Sequence, residues 1–169
     1  ELVSKQFVEG EEVIASCFDL GMNHPGGFAE YIRVPEAWVV KLPKMMSLEQ
    51  SMMLGTAGFT AGRCVSFLQK FGVGEKDGPI LVTGATGGVG SMSAAVLKKL
   101  GYEVVAVSGK IEAEILKTVG VDKIISRENF LKVSNRMLLR EKYAGVVDTV
   151  GGTYLETAIK QTRYEGVVT

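Results

Sequence analysis

Nine residues constrain this chain more than any others: Thr83-Gly84-Ala85-Thr86-Gly87-Gly88-Val89-Gly90-Ser91. They follow a compact apolar run, Ile80-Leu81-Val82-Thr83, of the kind buried on both faces in a parallel sheet. They lead into residues 89–100, where apolar side chains recur at helical spacing. Glycines at such a junction let the backbone turn tightly, approach an anion closely and pack the helix on the strand. The free N–H groups and positive dipole end of the helix then face that anion. The spacing is Gly-x-x-Gly-Gly-x-Gly rather than the strict Gly-x-Gly-x-x-Gly, so its weight comes from the strand before it and the helix after it. The cluster accounts for part of a glycine excess, 21 of 169 residues, or roughly 12% against a usual ~7%.

Strand and helix signals keep alternating downstream. Strands are expected at 103–107, 123–126 and 146–148, a short helix at 112–119 ended by Gly120, a helix at 154–161, and the start of a fifth strand at 166–169. The helix over 89–100 presents Met92, Ala95, Val96 and Leu100 on one face and stops at Gly101. The charged stretch 127–142 can form another helix. Repeated β-α-β units imply an α/β fold, a doubly wound parallel sheet with right-handed crossovers.

Residues 1–46 read differently, as short strands over 12–15, 28–34 and 38–43 separated by Gly26-Gly27 and Pro35. Ser47-Leu48-Glu49-Gln50 is a capping box, and two helices are expected between Ser47 and Phe71 with a turn at 55–58. The expected organisation is a partial β domain over 1–46 and a doubly wound domain over 47–169, truncated at its fifth strand. The chain begins at Glu1 without Met and closes on the first residues of a strand, which suggests a piece of a longer protein.

Charge excludes some functions. Lys+Arg and Asp+Glu both number 19, and a zero balance argues against nucleic acid as a partner. No apolar run approaches the ~20 residues of a membrane span, and no signal peptide is evident in this piece. Cys17 and Cys64 lack metal-type spacing, and the single histidine, His24, is close to neither in sequence, so no Cys/His zinc set assembles. The cysteines read as small apolar residues in a reducing compartment, which points to the cytoplasm. His24, in Asn23-His24-Pro25-Gly26-Gly27, reads as a solvent-facing turn residue in preference to one lining a cleft.

The end of the second strand bears on which dinucleotide fits. A carboxylate there would bind the ribose diol of NAD. Here Val104-Val105-Ala106-Val107 runs into Ser108-Gly109-Lys110 with no acid. A hydroxyl and an ammonium can bond and neutralise a 2′-phosphate, which a carboxylate would repel, so this end favours NADP. Arg127, just past the third strand, can supply a second cation. Thr56 can reach nicotinamide or a phosphate, or serve packing and capping. Asp148 can touch the cofactor ribose or cap the next turn.

Several motifs in order carry a resemblance: Leu54-Gly55-Thr56-Ala57-Gly58-Phe59-Thr60-Ala61, the 82–90 segment, Val107-Ser108-Gly109-Lys110, Asp148-Thr149-Val150-Gly151-Gly152, and Gly26-Gly27-Phe28-Ala29-Glu30-Tyr31. Over essentially its whole length the chain resembles the zinc-free medium-chain dehydrogenase/reductase superfamily, in its acrylyl-CoA reductase or quinone oxidoreductase-like branch. The resemblance implies an NADPH-dependent, zinc-independent reductase with a GroES-like β domain and a Rossmann domain. Its substrate would be a small molecule, an enoyl thioester such as acrylyl-CoA or else a quinone. A catalytically silent NADP-binding or sensing module is the alternative. By family pattern Thr86, Gly87, Gly88 and Val89, within the turn bounded by Gly84 and Gly90, lie along the phosphates. Ser108, Gly109 and Lys110 surround the 2′-phosphate, and Arg127 lies near the adenosine end. The family usually has Arg where Lys110 stands, which keeps the charge but loses the fork. Its Asn-Tyr segment, whose Tyr is associated with the active site, and its nicotinamide loop would lie upstream of Glu1 and beyond Thr169, so no catalytic residue is assigned within the chain. Homodimers are common in the superfamily.

Overall fold

The computed structural model describes residues 6–169 and divides into two units, Glu1–Thr56 and Ala57–Thr169. In the first unit, β1 (Val13–Ala15) pairs antiparallel with β2 (Val39–Lys41), Val13 opposite Lys41 and Ala15 opposite Val39. The Trp38 ring stacks on Phe18 at 5.2 Å and meets the His24 ring edge-on at 5.2 Å. The expected strand at 28–34 does not form; the segment is irregular, and Phe28 and Tyr31 are exposed. Its β-prone side chains favour extended backbone, but a strand needs a neighbour to bond, and among the described residues it has none.

Helix α1 (Leu48–Lys70) starts at the capping box, with the Ser47 N–H donating to Gln50 Oε1 (3.0 Å) and the Gln50 N–H donating to Ser47 Oγ (3.1 Å). The interruption expected over four residues is a single-residue break at Gly55 (φ 46°, ψ −152°), and helix resumes at once. The division between the units falls one residue past that break.

The second unit is a five-stranded parallel sheet flanked by helices. In chain order it contains β3 (Ile80–Thr83), α2 (Gly88–Lys99), β4 (Val104–Ser108), α3 (Glu114–Val119), β5 (Lys123–Ser126), α4 (Arg127–Leu131), β6 (Tyr143–Val147), α5 (Gly152–Gln161) and β7 (Thr162–Val168). The spatial order is β5-β4-β3-β6-β7. Strand β3 therefore has β4 on one side, Thr83 opposite Val107, and β6 on the other, Val82 opposite Val147. The order reverses between β3 and β6, and a crevice at such a switch point is where open α/β sheets take ligands.

Alternating side chains of the buried strands feed two cores. Ile80, Val82, Val104 and Ala106 pack with Leu68 of α1, Leu97 of α2 and Leu116 of α3. Leu81, Val105, Val107 and Val146 pack on the other face with Phe130 of α4 and Ala158 of α5. Each fully buried aliphatic side chain contributes about 1.5–3 kcal/mol.

Three expectations are corrected. The buried face of α2 is Gly90, Ser91, Ser93, Ala94 and Leu97, while Ala95, Val96 and Leu100 face outward. The helix is apolar on several sides, so its small residues decide which side can approach the sheet. Within 127–142 helix extends only to Leu131; Met137 and Leu138 beyond it are exposed, so the apolar residues of the remainder do not find a common surface to bury against. Strand β7 begins at Thr162, four residues earlier than expected, immediately after α5.

Candidate functional site

The carboxyl ends of β3, β4, β5 and β6 position every candidate residue except Thr56. At the end of β3 the chain turns through Gly84 (φ +58°), where a Cβ would sit 2.2 Å from Thr149 Oγ1. Both backbone and space therefore demand glycine there. The Gly87 N–H donates to Gly84 O (2.9 Å), closing the turn, and the Ala85 N–H donates to Val107 O (3.3 Å), fixing it to β4. Gly90 lies so close beneath the turn that a Cβ would meet Gly84 O at 2.3 Å; its absence lets α2 pack against the strand end.

Helix α2 opens from Gly87, an extended N-cap with no side-chain cap bond, and the Ser91 N–H returns to Gly87 O (2.9 Å). The first-turn N–H groups at Gly88, Val89 and Gly90 are thus left without intrahelical acceptors. Gly87 and Gly88 are exposed, Gly84, Thr86 and Val89 half-buried, and Gly90 buried. Gly87 and Gly88 leave the backbone there exposed, with Ala57 of α1 beside Gly88, and the dipole of a 12-residue helix points through it. This cradle fits a phosphate.

A polar latch supports the turn from β6. Thr83 Oγ1 donates to Asp148 Oδ1 and accepts from the Thr149 N–H (3.1 Å), while Thr149 Oγ1 donates to Thr83 O (3.0 Å). Asp148 Oδ2 accepts from the Gly151 N–H (2.7 Å). Of the two roles open to Asp148, the structure shows the capping one. Sequence reasoning assigns no such support role to Thr83 or Thr149. Nothing in the local sequence marks them for it, since each is defined by a partner across the sheet.

A second cluster lies at the ends of β4 and β5, where Ser108 faces Ser126 in register. Ser108 is 1% exposed, and its Oγ accepts from the Lys110 N–H (2.9 Å) and donates to Lys110 O (3.2 Å). The hydroxyl thus shapes the 108–110 turn, and Lys110 is exposed beyond it. Ser126 Oγ accepts from the Asn129 N–H (3.2 Å) and caps α4, which makes Arg127 its first residue. The Arg127 side chain lies against Gly109, with Nε 3.0 Å from where a Cβ would be. Beside it, hydrogen bonds from its own backbone N–H and from Ser126, then the charges of Arg127 and Lys132, hold the Glu128 carboxyl below its usual range.

The structure thus brings Gly84, Thr86, Gly87, Gly88, Val89 and Gly90 together after β3 and Ser108, Gly109 and Lys110 into a turn after the adjacent β4, with Arg127, from the start of α4 after β5, lying against Gly109. Thr56 is the last residue of the first unit and is not assigned to either turn. No group of three or more potential metal ligands occurs among the described residues. His24 Nδ1 lies 3.1 Å from Pro25 O. No helix among the described residues is long and apolar enough to cross a membrane.

A glycine turn at the switch point of a doubly wound sheet, followed by a strand end without an acid, matches a known class: the chain belongs to the medium-chain dehydrogenase/reductase superfamily, in its zinc-free branch. A family model described as zinc-binding dehydrogenase matches residues 88–169. The chain is 43% identical over 164 residues to YhfP of Bacillus subtilis, named as a quinone oxidoreductase, covering 96% of this chain and 50% of that protein. It is 44% identical to AcuI of Escherichia coli K12, named as an acrylyl-CoA reductase, with the same coverage. Among solved structures, the YhdH oxidoreductase from Salmonella enterica in complex with NADP superposes with a TM-score of 0.92 at 43% identity, over 98% of this chain and 51% of that one. YhfP with NAD bound superposes with a TM-score of 0.93 at 42% identity, over 99% and 51%. The chain therefore spans about half the length of the relatives it matches.

Proposed function

We propose that this chain is the dinucleotide-binding part of an NADPH-dependent, zinc-independent oxidoreductase that reduces an activated carbon–carbon double bond, in an enoyl thioester such as acrylyl-CoA. The single observation that carries the cofactor is the 108–110 turn. Its buried hydroxyl orders the backbone, Lys110 and Arg127 stand at its rim, and no carboxylate occupies the strand end. On this reading Gly84, Thr86, Gly87, Gly88, Val89 and Gly90 hold the pyrophosphate, and Ser108, Gly109, Lys110 and Arg127 hold the 2′-phosphate. Thr56 reaches the nicotinamide end. Residues 1–46 are part of a GroES-like substrate-bearing domain, and the protein works as a cytoplasmic homodimer.

Bound NADPH would supply hydride. With an enoyl thioester that hydride adds at the β-carbon, and negative charge gathers on the thioester oxygen, which calls for a hydrogen-bond donor there. The chain's own contribution is to fix the cofactor: backbone N–H groups of α2 take the phosphates, and the 84–90 turn holds them in register with the sheet.

Support for the enoyl thioester comes from the relative named as an acrylyl-CoA reductase. A quinone is the second reading, favoured by the name of YhfP. A kinetic comparison of acrylyl-CoA, crotonyl-CoA and a benzoquinone with the full-length protein separates them. Binding of cofactor with no turnover of any of the three would instead indicate a silent NADP-binding module. For the cofactor, Lys110→Glu is expected to weaken NADPH by roughly 10–100-fold, the range of a lost charged hydrogen bond, with NADH little changed. Tighter binding of NADH than NADPH by the unmodified protein would refute the NADPH assignment.

A further inference from the structure

The glycines of the chain answer to different demands. Gly120 has φ +72°, and a Cβ there would meet nothing within 4 Å, so its backbone alone calls for glycine. Gly109 is the opposite case. Its φ lies outside the left-handed region that favours glycine, so its backbone places no such demand. The three atoms nearest to where its Cβ would sit all belong to one residue: Arg127 Nε at 3.0 Å, Cδ at 3.1 Å and Cζ at 3.1 Å. Three consecutive atoms at nearly equal distances mean that the end of the arginine lies flat along the Gly109 α-carbon.

The two residues come from successive βα units, and each is anchored independently. Gly109 sits inside the turn tied by Ser108 Oγ. Arg127 opens α4, capped by Ser126, and Ser126 is in register with Ser108 across the β4–β5 pair. The register fixes where the arginine starts, and the bare α-carbon fixes where it ends. A long side chain on an exposed helix start otherwise keeps most of its rotamer freedom.

We infer that Gly109 is a positioning residue for cofactor selectivity: it is a seat that holds the Arg127 guanidinium at the rim of the 108–110 turn, beside Lys110, where a 2′-phosphate would lie. This rests on the NADPH reading above. Selectivity then belongs to the pair, and a methyl group on Gly109 should loosen it by shifting Arg127 while Ser108 and Lys110 keep their places. A Cβ would need the arginine to give by only a few tenths of an ångström, and Arg127 is exposed and able to move. Folding should therefore be unaffected.

The test is a double-mutant cycle in the full-length protein, reading the ratio of NADH to NADPH dissociation constants by cofactor fluorescence, with melting temperature alongside. Arg127→Ala is expected to lower the NADPH preference about ten-fold or more. Gly109→Ala is expected to lower it roughly three- to ten-fold with an unchanged melting temperature, and to add nothing in the Arg127→Ala background. Gly109→Ser places the same Cβ and should behave alike, which guards against a fault particular to one variant. An unchanged ratio in both Gly109 variants overturns the inference while leaving the NADPH reading intact. So does an equal loss with and without Arg127, which would mean that the new methyl strikes the cofactor directly. A protein with no preference for NADPH overturns the reading and the inference together.

Discussion

At the scale of single residues, Thr83 does more than its place in an apolar run suggests. It is fully buried, and its hydroxyl is the hub between Asp148 and the Thr149 N–H. Thr83→Val keeps the shape but strands both partners, at a cost of about 2–3 kcal/mol. Thr83→Ser, which keeps the hydroxyl, should recover most of that. Urea denaturation measures it as a lower midpoint with unchanged slope, and a change under about 0.5 kcal/mol would refute the hub role. The glycine turn itself was legible in the sequence because backbone geometry and close packing are local demands that glycine alone meets. Thr149 was not legible. It fills the space beside Gly84 and bonds the Thr83 carbonyl, 66 positions earlier in the chain. The pairing of Arg127 with Gly109 was legible only in part: the charges could be read, but their contact depends on the register of β4 and β5.

Elements were most readable where burial is complete. The runs that became β3 and β4 have no exposed face, so near-continuous apolar character was a sufficient signal; β6 is as fully buried, but it begins at Tyr143, three residues ahead of the expected start at 146, because Tyr143 and Gly145 break the aliphatic run. Residues 28–34 are also rich in β-prone side chains but have no partner to bond among the described residues, and composition alone cannot supply one. The joints between elements depend on individual polar contacts. Asp122 ties three elements: its carboxylate takes a 2.8 Å ion pair from Lys98 at the end of α2 and a 2.7 Å hydrogen bond from the Val104 N–H at the start of β4, just ahead of β5. Burial would raise its pKa, but the bonds from Lys98 and Val104 outweigh it, and the carboxyl sits below its ordinary 3.8. A depressed carboxylate stabilises the fold above that ordinary value, and the contribution is lost as pH falls through the folded-state value. Solvent screens the Lys98 pair at this exposed carboxylate, so Asp122→Ala should cost about 1 kcal/mol at neutral pH, mostly from the Val104 N–H left without its acceptor. The deficit relative to the unmodified protein should shrink below pH 3.8. Denaturant melts at neutral and acid pH check this, and a deficit constant across that range would contradict it.

For the sheet-containing unit as a whole, protection should follow the strand order. Amides of β3, β4 and β6 are enclosed by neighbours on both sides, whereas β5 and β7 are each paired on one side among the described residues. Native-state hydrogen exchange should find the slowest amides in Leu81, Val82, Ala106 and Val146, with β5 and β7 opening at lower free energy. Equal protection across all five strands would argue against this gradient. The same order has a consequence for biosynthesis. By the time Ser126 has left the ribosome, β3, β4 and β5 can already pair, since each lies one short crossover from the next. The supports of the glycine turn, Asp148 and Thr149, are then still inside the exit tunnel. A nascent chain can thus pair three strands while the turn still lacks its floor, and the turn takes its final form only when Asp148 and Thr149, just past β6, emerge.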